Sequence, residues 1–357
     1  MPRRAFVVCL LLAATAAPAV AQKDRVHFRD RATGKEETAD GDVVDTSGGV
    51  KLTVAGKERV IPAPDILRIE YVALDPAPGK VPVVQAEAKP PADALKFYAD
   101  AAKALPNSAA ERAKRTVAFR EAYWTGVVAA GKPDADFPAE AKRAADKMAA
   151  FVKAYPKSWE QWQVGRSAAR LYGELKDWAA AEAVLKDLSG IADAPIELRL
   201  DVKLARVGYH IRAGKPTEAG GVLNEVAGDA ALTGGLKDRA GMYAVALKAL
   251  PAKGDAGPQA KKAAADAVAD LEKAVAASKD PAARSVGYGL LGEVQLAYRQ
   301  LRPATWSFCT VDVVYPQDAD ERLFAVLRLA EIFAATGDKE GDKSRADQFR
   351  ERLPKVR

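Results

Sequence analysis

One stretch of the chain spells a motif of cofactor chemistry. Residues 287–292 read GYGLLG, which matches GxGxxG, and Asp312 follows twenty residues after Gly292. In dinucleotide-binding proteins these glycines end a strand and open a helix, so that backbone amides meet the pyrophosphate. Here a helical pattern follows Asp280-Pro281, and no strand or βαβ unit precedes the motif. We therefore predict no cofactor and expect Gly292 to let two helices approach closely.

Other residues that could carry chemistry are few and scattered. The chain has two histidines, His27 and His210, and no GxSxG turn accompanies either. A four-ligand zinc site cannot be built from these and Cys309, and residues 338–342 lack the spacing of a calcium loop. We predict no metal site and no catalytic residue, which leaves a hydrolase with a fragmentary site as the enzymatic alternative. Cys309 lies in a helical pattern, so we expect it to be a buried apolar residue.

Arg166 and Arg170 form a pair that could bind a carboxylate. On a helix, residues four apart lie on one face, and two guanidinium groups there suit a carboxylate side chain or a chain terminus because each can bind it bidentately. The alternative is that both are ordinary surface charges, which are common on helices. The choice depends on the elements that position them.

Those elements are helices, and one window shows how they are paired. Residues 285–318 carry an aromatic residue, Leu-Gly, a small residue, a second aromatic residue and a proline at fixed spacing: Tyr288, Leu291, Gly292, Ala304, Phe308 and Pro316. This window resembles a tetratricopeptide repeat, which is a helix–turn–helix unit. One such hairpin cannot bury its own apolar face, so the resemblance implies neighbours stacked into a solenoid.

Weaker windows extend the resemblance. Residues 162–195 carry Ala168-Ala169, Tyr172, Ala181 and Leu185 in the same register, and a further window begins near Asp201. Residues 235–279 suggest a hairpin with a loop longer than the standard repeat. We therefore predict a mainly α protein, with a TPR-like α-solenoid of helical hairpins over residues 92–357 and an open repeat number.

The resemblance also implies a binding groove. In the family, fixed positions of the first helix of each hairpin face inward, and six residues of this chain take those positions: Arg166, Arg170, Tyr209, Arg212, Glu293 and Leu296. The implied partner is a protein or peptide held in the groove.

Residues 23–75 predict a small five-stranded β-barrel ahead of the helices. Val50, Leu52 and Val54 alternate with other residues as in a half-buried strand, and closing the sheet would avoid exposed edges. Residues 61–66 resemble the one-turn helix before the last strand of SH3-like barrels. Sm-like barrels, many of which bind RNA, are an alternative. However, nine basic and eleven acidic residues give this region a net charge of −2. We therefore expect no nucleic-acid partner.

The two remaining segments predict a linker and an export signal. Residues 76–91 contain five prolines, typical of a semi-extended linker. Residues 1–21 combine a basic start, an apolar run and small residues at Ala19 and Ala21, as in a signal peptide. The apolar run is shorter than the ~20 residues that span a bilayer, which disfavours a retained anchor. We expect an exported protein, periplasmic or secreted, with no later membrane segment.

Together these features favour a non-enzymatic scaffold or adaptor. Without residues 1–21 the chain has 52 basic and 48 acidic residues. This excess of positive charge is too small to indicate a nucleic-acid-binding surface. The alternative is a structural or assembly protein of the cell envelope that contacts peptidoglycan, polysaccharide or outer-membrane machinery. The hairpin endings Tyr155-Pro156 and Tyr315-Pro316 resemble those of exported bacterial repeat proteins.

Overall fold

The computed structural model describes residues 23–30, 33–71, 87–132, 135–250, 257–337, 339–340 and 343–356. The predicted signal peptide at 1–21 lies outside these residues, and so does most of the predicted linker at 76–91. Part of the acidic loop at 338–342 also lies outside them.

Five antiparallel strands open the described chain: β1 (Asp24–Arg29), β2 (Glu36–Thr46), β3 (Gly49–Val54), β4 (Lys57–Pro62) and β5 (Ile66–Glu70). They are hydrogen-bonded in the order β4-β3-β2-β1-β5. Val50 and Leu52 are fully buried on one face, in agreement with the predicted alternation. A one-turn 3₁₀ helix, Ala63–Asp65, separates β4 from β5 where the sequence predicted one.

The prediction of a closed barrel is wrong, because the sheet is open. The one-turn helix leads the chain away from β4, and β5 pairs with β1 instead. Among the residues that the structure describes, β4 and β5 are therefore the two edge strands of this sheet. Arg59 of β4 instead joins this edge to the β1–β2 hairpin through its side chain, since it lies 2.8 Å from Asp30 and 3.3 Å from Glu37. A charged residue on an edge strand also discourages pairing with another chain.

Helices make up most of the chain beyond β5, and after α1 (Pro91–Ala104) they form consecutive hairpins. The hairpins are α2 (Glu111–Ala130) with α3 (Phe137–Ala154), α4 (Glu160–Glu174) with α5 (Trp178–Ser189), α6 (Ile196–Arg212) with α7 (Pro216–Ala227), α8 (Gly234–Ala249) with α9 (Pro258–Ala277), α10 (Pro281–Ala297) with α11 (Leu301–Val313), and α12 (Ala319–Thr336) with α13 (Arg345–Val356). Two short strands, β6 (Lys339–Glu340) and β7 (Lys343–Ser344), join α12 to α13. We call the first helix of each hairpin an inner helix. Inner helices contact one another along the stack, α2 with α4, α6 with α8, α8 with α10 and α10 with α12.

Three of these hairpins turn in the same way. Lys176, Gly214 and Arg299 occupy the same place between their two helices, with φ angles of 60°, 69° and 59°. In each turn the N–H of the next residue donates to the carbonyl oxygen five residues back, at 2.8, 2.9 and 2.8 Å. Such a bond satisfies a carbonyl that the end of the helix leaves open. The recurrence supports the predicted array of helical hairpins.

The hydrophobic core runs without a break from the sheet into the first hairpins. Leu52 of β3 and Trp159, Trp162 and Leu185 of the helical region belong to one buried cluster. Trp162 Nε1 also donates to the carbonyl oxygen of Ser47, at 2.5 Å. The sheet is therefore packed directly on the helices and helps to fix their positions.

The glycines of the GxGxxG motif lie within α10, where no strand precedes them. A Cβ at Gly287 would lie 2.3 Å from Val275 of α9, at Gly289 2.3 Å from Glu321 of α12, and at Gly292 2.6 Å from the Phe308 ring of α11. Such approaches are closer than real Cβ contacts. The motif therefore allows helices to pack closely on three sides, as we expected at Gly292.

We expect Gly292→Ala to lower the free energy of unfolding by about 1–3 kcal/mol, because the added methyl group overpacks against Phe308. Gly241→Ala is the matched control, since Gly241 lies within α8 and a Cβ there meets nothing within 4 Å. That change is expected to stabilise the protein by about 0.5–1 kcal/mol through helix propensity. Urea unfolding of both variants measures the contrast, and equal stabilities would contradict close packing at Gly292.

Candidate binding site

The inner helices bring together five of the six residues predicted to line the groove. Arg166 and Arg170 lie on α4, Tyr209 and Arg212 on α6, and Glu293 on α10, and all five side chains are wholly or largely buried. Leu296 lies apart from them, because it packs against the apolar cluster of α11 and α12 that contains Phe308.

Both arginines contact carboxylates of this chain, and one carboxylate, that of Asp320, lies against the two of them. Arg170 Nε donates to Asp320 Oδ1 at 2.8 Å, and Arg166 Nη2 lies 3.0 Å from Asp320 Oδ2. Arg166 also donates to Asp201 at 3.2 Å. Arg239 of α8 donates to the other oxygen of Asp201 at 2.5 Å. We call these five residues the closing network, because Asp320 begins α12 whereas the arginines come from α4 and α8.

The array is thereby closed on itself. Arg170 and Asp320 are 150 residues apart, and α12 packs directly against α4. A second set of contacts adjoins the closing network, where Arg212 donates to Glu321 at 2.5 Å and its guanidinium carbon lies 4.4 Å from the centre of the Phe324 ring. The Tyr209 ring meets Phe324 edge-on, with centroids 5.4 Å apart. Helix α12 therefore packs against α4 and α6.

Charge and burial act differently on the carboxylates of this region. Burial alone would raise the pKa of Asp320, but Arg166 and Arg170 hold that pKa below its usual value. Burial likewise acts to raise the pKa of Asp201, and Arg239 and Arg166 lower it. Glu321 behaves in the opposite way, since burial raises its pKa to about 7 and the attraction of Arg212 only partly opposes this. Asp201 and Asp320 are therefore charged at neutral pH, whereas Glu321 titrates there.

A cavity of about 800 Å³ lies beside α4. Arg166, Ser167 and Arg170 of α4 line one side of it, and Tyr123 and Val127 of α2 line another. Gln163 of α4 also lines it, and further lining residues come from the 3₁₀ turn, β5 and other helices: Pro64, Leu67, Met148, Leu198 and Leu323. This volume lies within the roughly 300–1,000 Å³ of typical ligand sites. Of the six predicted groove residues, only Arg166 and Arg170 line this cavity.

Sequence reasoning missed the acidic partners of the arginines and the apolar wall of the cavity. Asp318 and Asp320 have a local explanation, since Asp318 Oδ1 accepts the N–H groups of Asp320 and Glu321 at 3.0 Å each and so caps α12. Nothing near these acids in the sequence indicates that they face α4. Tyr123 lies on α2, for which no repeat register had been assigned.

The remaining residues of possible chemistry are held in packing contacts. Cys309 is partly buried against the cluster of α11 and α12, and burial, aided by Asp312, raises the pKa of its thiol. His27 lies within hydrogen-bond distance of Glu70 and Thr38, at 3.0 Å each. Within the residues that the structure describes, no three His, Cys, Asp or Glu side chains are grouped to hold a metal ion. In the same part of the chain, no helix has the length and apolar character needed to cross a membrane.

The cavity and the closing network are thus the most developed site that the described residues form. Comparison of the chain with protein-family models, with curated proteins and with solved structures gives no match. The function of the site is therefore argued from its shape, its charges and its contacts.

Proposed function

We propose that this protein is an exported, non-enzymatic scaffold of the tetratricopeptide-repeat type that binds a segment of another protein in the 800 Å³ cavity. The observation that carries the proposal is the position of this cavity, which is lined by four inner helices (α2, α4, α6 and α12) and the β-domain. Stacked helical repeats use such concave surfaces to bind partners. The β-domain, whose strand order and 3₁₀ turn suit an SH3-like fold, supplies one wall through Pro64 and Leu67.

Rigidity of the cavity walls supports the proposal. The closing network connects α4, α6, α8 and α12 through charged hydrogen bonds, and Trp162 ties α4 to the sheet through Ser47. A cavity that is already formed costs less conformational entropy on binding than one that must be ordered by its ligand. The buried charges then serve to hold a binding surface in shape.

The partner can be captured by photo-crosslinking from within the cavity. We expect a benzophenone amino acid at Val127, which lines the cavity, to crosslink a protein in cells that express the full chain. The matched control carries the same group at Val313, which is 72% exposed on α11 and outside the cavity. A polypeptide captured only from position 127 supports the proposal, whereas a glycan captured there instead would favour the cell-envelope alternative.

Blocking the cavity provides the complementary test. Ser167→Trp places a large side chain among the lining residues. It is expected to reduce capture from position 127 at least about tenfold, because the tryptophan occupies space in which the ligand would otherwise be buried. Val313→Trp is the control for a new surface tryptophan. Circular dichroism establishes that both variants remain helical. Undiminished capture by Ser167→Trp would contradict binding in this cavity.

A further inference from the structure

Arg166 and Arg170, which line the cavity, already form ion pairs with carboxylates of this chain. These ion pairs limit the chemistry of a ligand that can bind there. Arg166 contacts Asp201 at 3.2 Å and Asp320 at 3.0 Å, and Arg170 contacts Asp320 at 2.8 Å. Asp320 is only 5% exposed and is part of the same chain, so its effective concentration at the arginines is high. A carboxylate from outside would have to displace it.

The charges that line the cavity also balance. Arg166 and Arg170 supply two positive charges, and Glu174 and Asp201 supply two negative ones. Asp320 lies immediately behind the arginines. A cleft attracts a ligand of one sign only when its lining carries an excess of the other sign. This cavity therefore does not attract an acidic segment in preference to an uncharged one.

The uncharged part of the lining points to an apolar occupant. Tyr123 and Val127 of α2 and Leu198 of α6 are half-buried and line the same space, whereas Met148 and Leu323 also line it but are already buried and offer little surface. Burial of apolar surface is the main favourable term that such a wall offers. Leu67 of β5 and Pro64 of the 3₁₀ turn extend this apolar lining to the β-domain.

One polar atom distinguishes a polypeptide from a hydrocarbon chain. Gln163 is half-buried and lines the cavity, and its Oε1 has no hydrogen-bond partner among the residues that the structure describes. This oxygen is shielded in the structure, and rotation of the side chain turns it towards the cavity. A buried acceptor of this kind is costly unless a donor reaches it. The backbone N–H of a bound peptide is such a donor, whereas an acyl chain has none.

Resting on the proposed function, we infer that the segment bound in the cavity is an uncharged, apolar stretch of polypeptide whose backbone donates a hydrogen bond to Gln163. Arg166 and Arg170 then shape the cavity through their internal carboxylates and do not select the charge of the partner. This inference replaces the carboxylate-bearing ligand that the arginine pair suggested on its own.

This inference is tested by selecting phage-displayed random peptides that bind the immobilised full chain. Phages that also bind the Ser167→Trp variant are removed. We expect the enriched peptides to be apolar and uncharged. Their affinity for the protein, measured by fluorescence anisotropy, is expected to change less than about threefold between low and high salt. The reason is that no ion pair between peptide and protein contributes to binding. Gln163→Leu is expected to weaken binding about fivefold or more, while Gln259→Leu, an exposed residue of α9, leaves it unchanged.

The possible outcomes separate the two proposals. Enrichment of acidic peptides whose binding weakens with salt would overturn the apolar occupant and leave peptide binding in place. Competition by palmitate, together with full affinity in Gln163→Leu, would overturn a polypeptide in favour of a hydrocarbon chain. A selection that yields no peptide sensitive to Ser167→Trp, with no protein captured from position 127, would overturn both the apolar occupant and the proposed function.

Discussion

Replacing Asp320 by alanine is expected to lower the free energy of unfolding by about 3 kcal/mol, at the lower end of the roughly 3–5 kcal/mol typical when one partner of a buried ion pair is removed. The carboxylate is 5% exposed and binds two guanidinium groups, those of Arg166 and Arg170. Without it these buried positive charges lose a counter-charge, although Arg166 keeps Asp201 at 3.2 Å. That remaining contact is why we place the loss at the lower end.

The measurement is urea unfolding combined with hydrogen exchange. An array of repeats can open in parts, so exchange of the amides of α12 and α4 shows whether closure is lost before global unfolding. Asp270→Ala is the matched control, because Asp270 lies 3.8 Å from Lys273 on the exposed face of α9 and such pairs contribute less than about 1 kcal/mol. Asp320→Ala and Asp270→Ala variants of equal stability would contradict a stabilising role of the closing network.

A double-mutant cycle separates the ion pair from the packing around it. Asp320→Leu in the background of Arg170→Met replaces the Asp320–Arg170 pair by apolar side chains, and such replacements are often neutral or stabilising in buried sites. Arg166 stays charged in this variant and keeps Asp201 as its partner. We therefore expect the double variant to be more stable than Asp320→Ala. If both variants were equally unstable, the loss would arise from the packing of α12 or from Arg166 and not from an uncompensated charge on Arg170.

Features of the fold that depend on near neighbours could be predicted from the sequence. The contact of Gly292 with the Phe308 ring joins residues of one hairpin, and the alternation at Val50 and Leu52 predicts a strand with one buried face. The one-turn helix at Ala63–Asp65 has a local signal in its flanking prolines. Each of these follows from a few consecutive or nearly consecutive residues.

Features that depend on distant parts of the chain could not be predicted in this way. Whether β4 and β5 pair is decided by the path after Ala63–Asp65 and by the helices that pack on the sheet, as through Trp162 and Ser47. The charge pattern at the start of α12 has a sufficient local reason in the cap formed by Asp318. Its contact with α4 arises only when intervening hairpins bring α12 around to the start of the stack.

The arginine pair shows the same division within the candidate site. The spacing of Arg166 and Arg170 indicated that both could bind one carboxylate, because residues four apart share a helical face. It could not indicate whose carboxylate this is. The structure shows an internal one, Asp320, and so the chemistry predicted for a partner is used to close the array.

Glu321 makes the stability contributed by the contact between α12 and α6 sensitive to pH near neutrality. Arg212 of α6, Tyr243 of α8, and Asp318 and Asp320 of α12 act on it. Burial raises its pKa from 4.5 to about 7. The folded protein therefore binds more protons than the unfolded chain between these pH values, and stability must fall as the pH rises through them. The carboxylates whose pKa is lowered, such as Asp201, lose their contribution only at more acidic pH.

We accordingly expect the wild-type free energy of unfolding to fall by about 2–3 kcal/mol between pH 5 and pH 8, since one pKa unit corresponds to about 1.4 kcal/mol. Glu321→Gln resembles the protonated side chain and can still accept from Arg212, so its stability should vary less over this range and exceed that of the wild type at pH 8. Glu272→Gln, an exposed position on α9, is the control and should follow the wild-type curve. Parallel curves for wild type and Glu321→Gln would show that Glu321 does not titrate in this window.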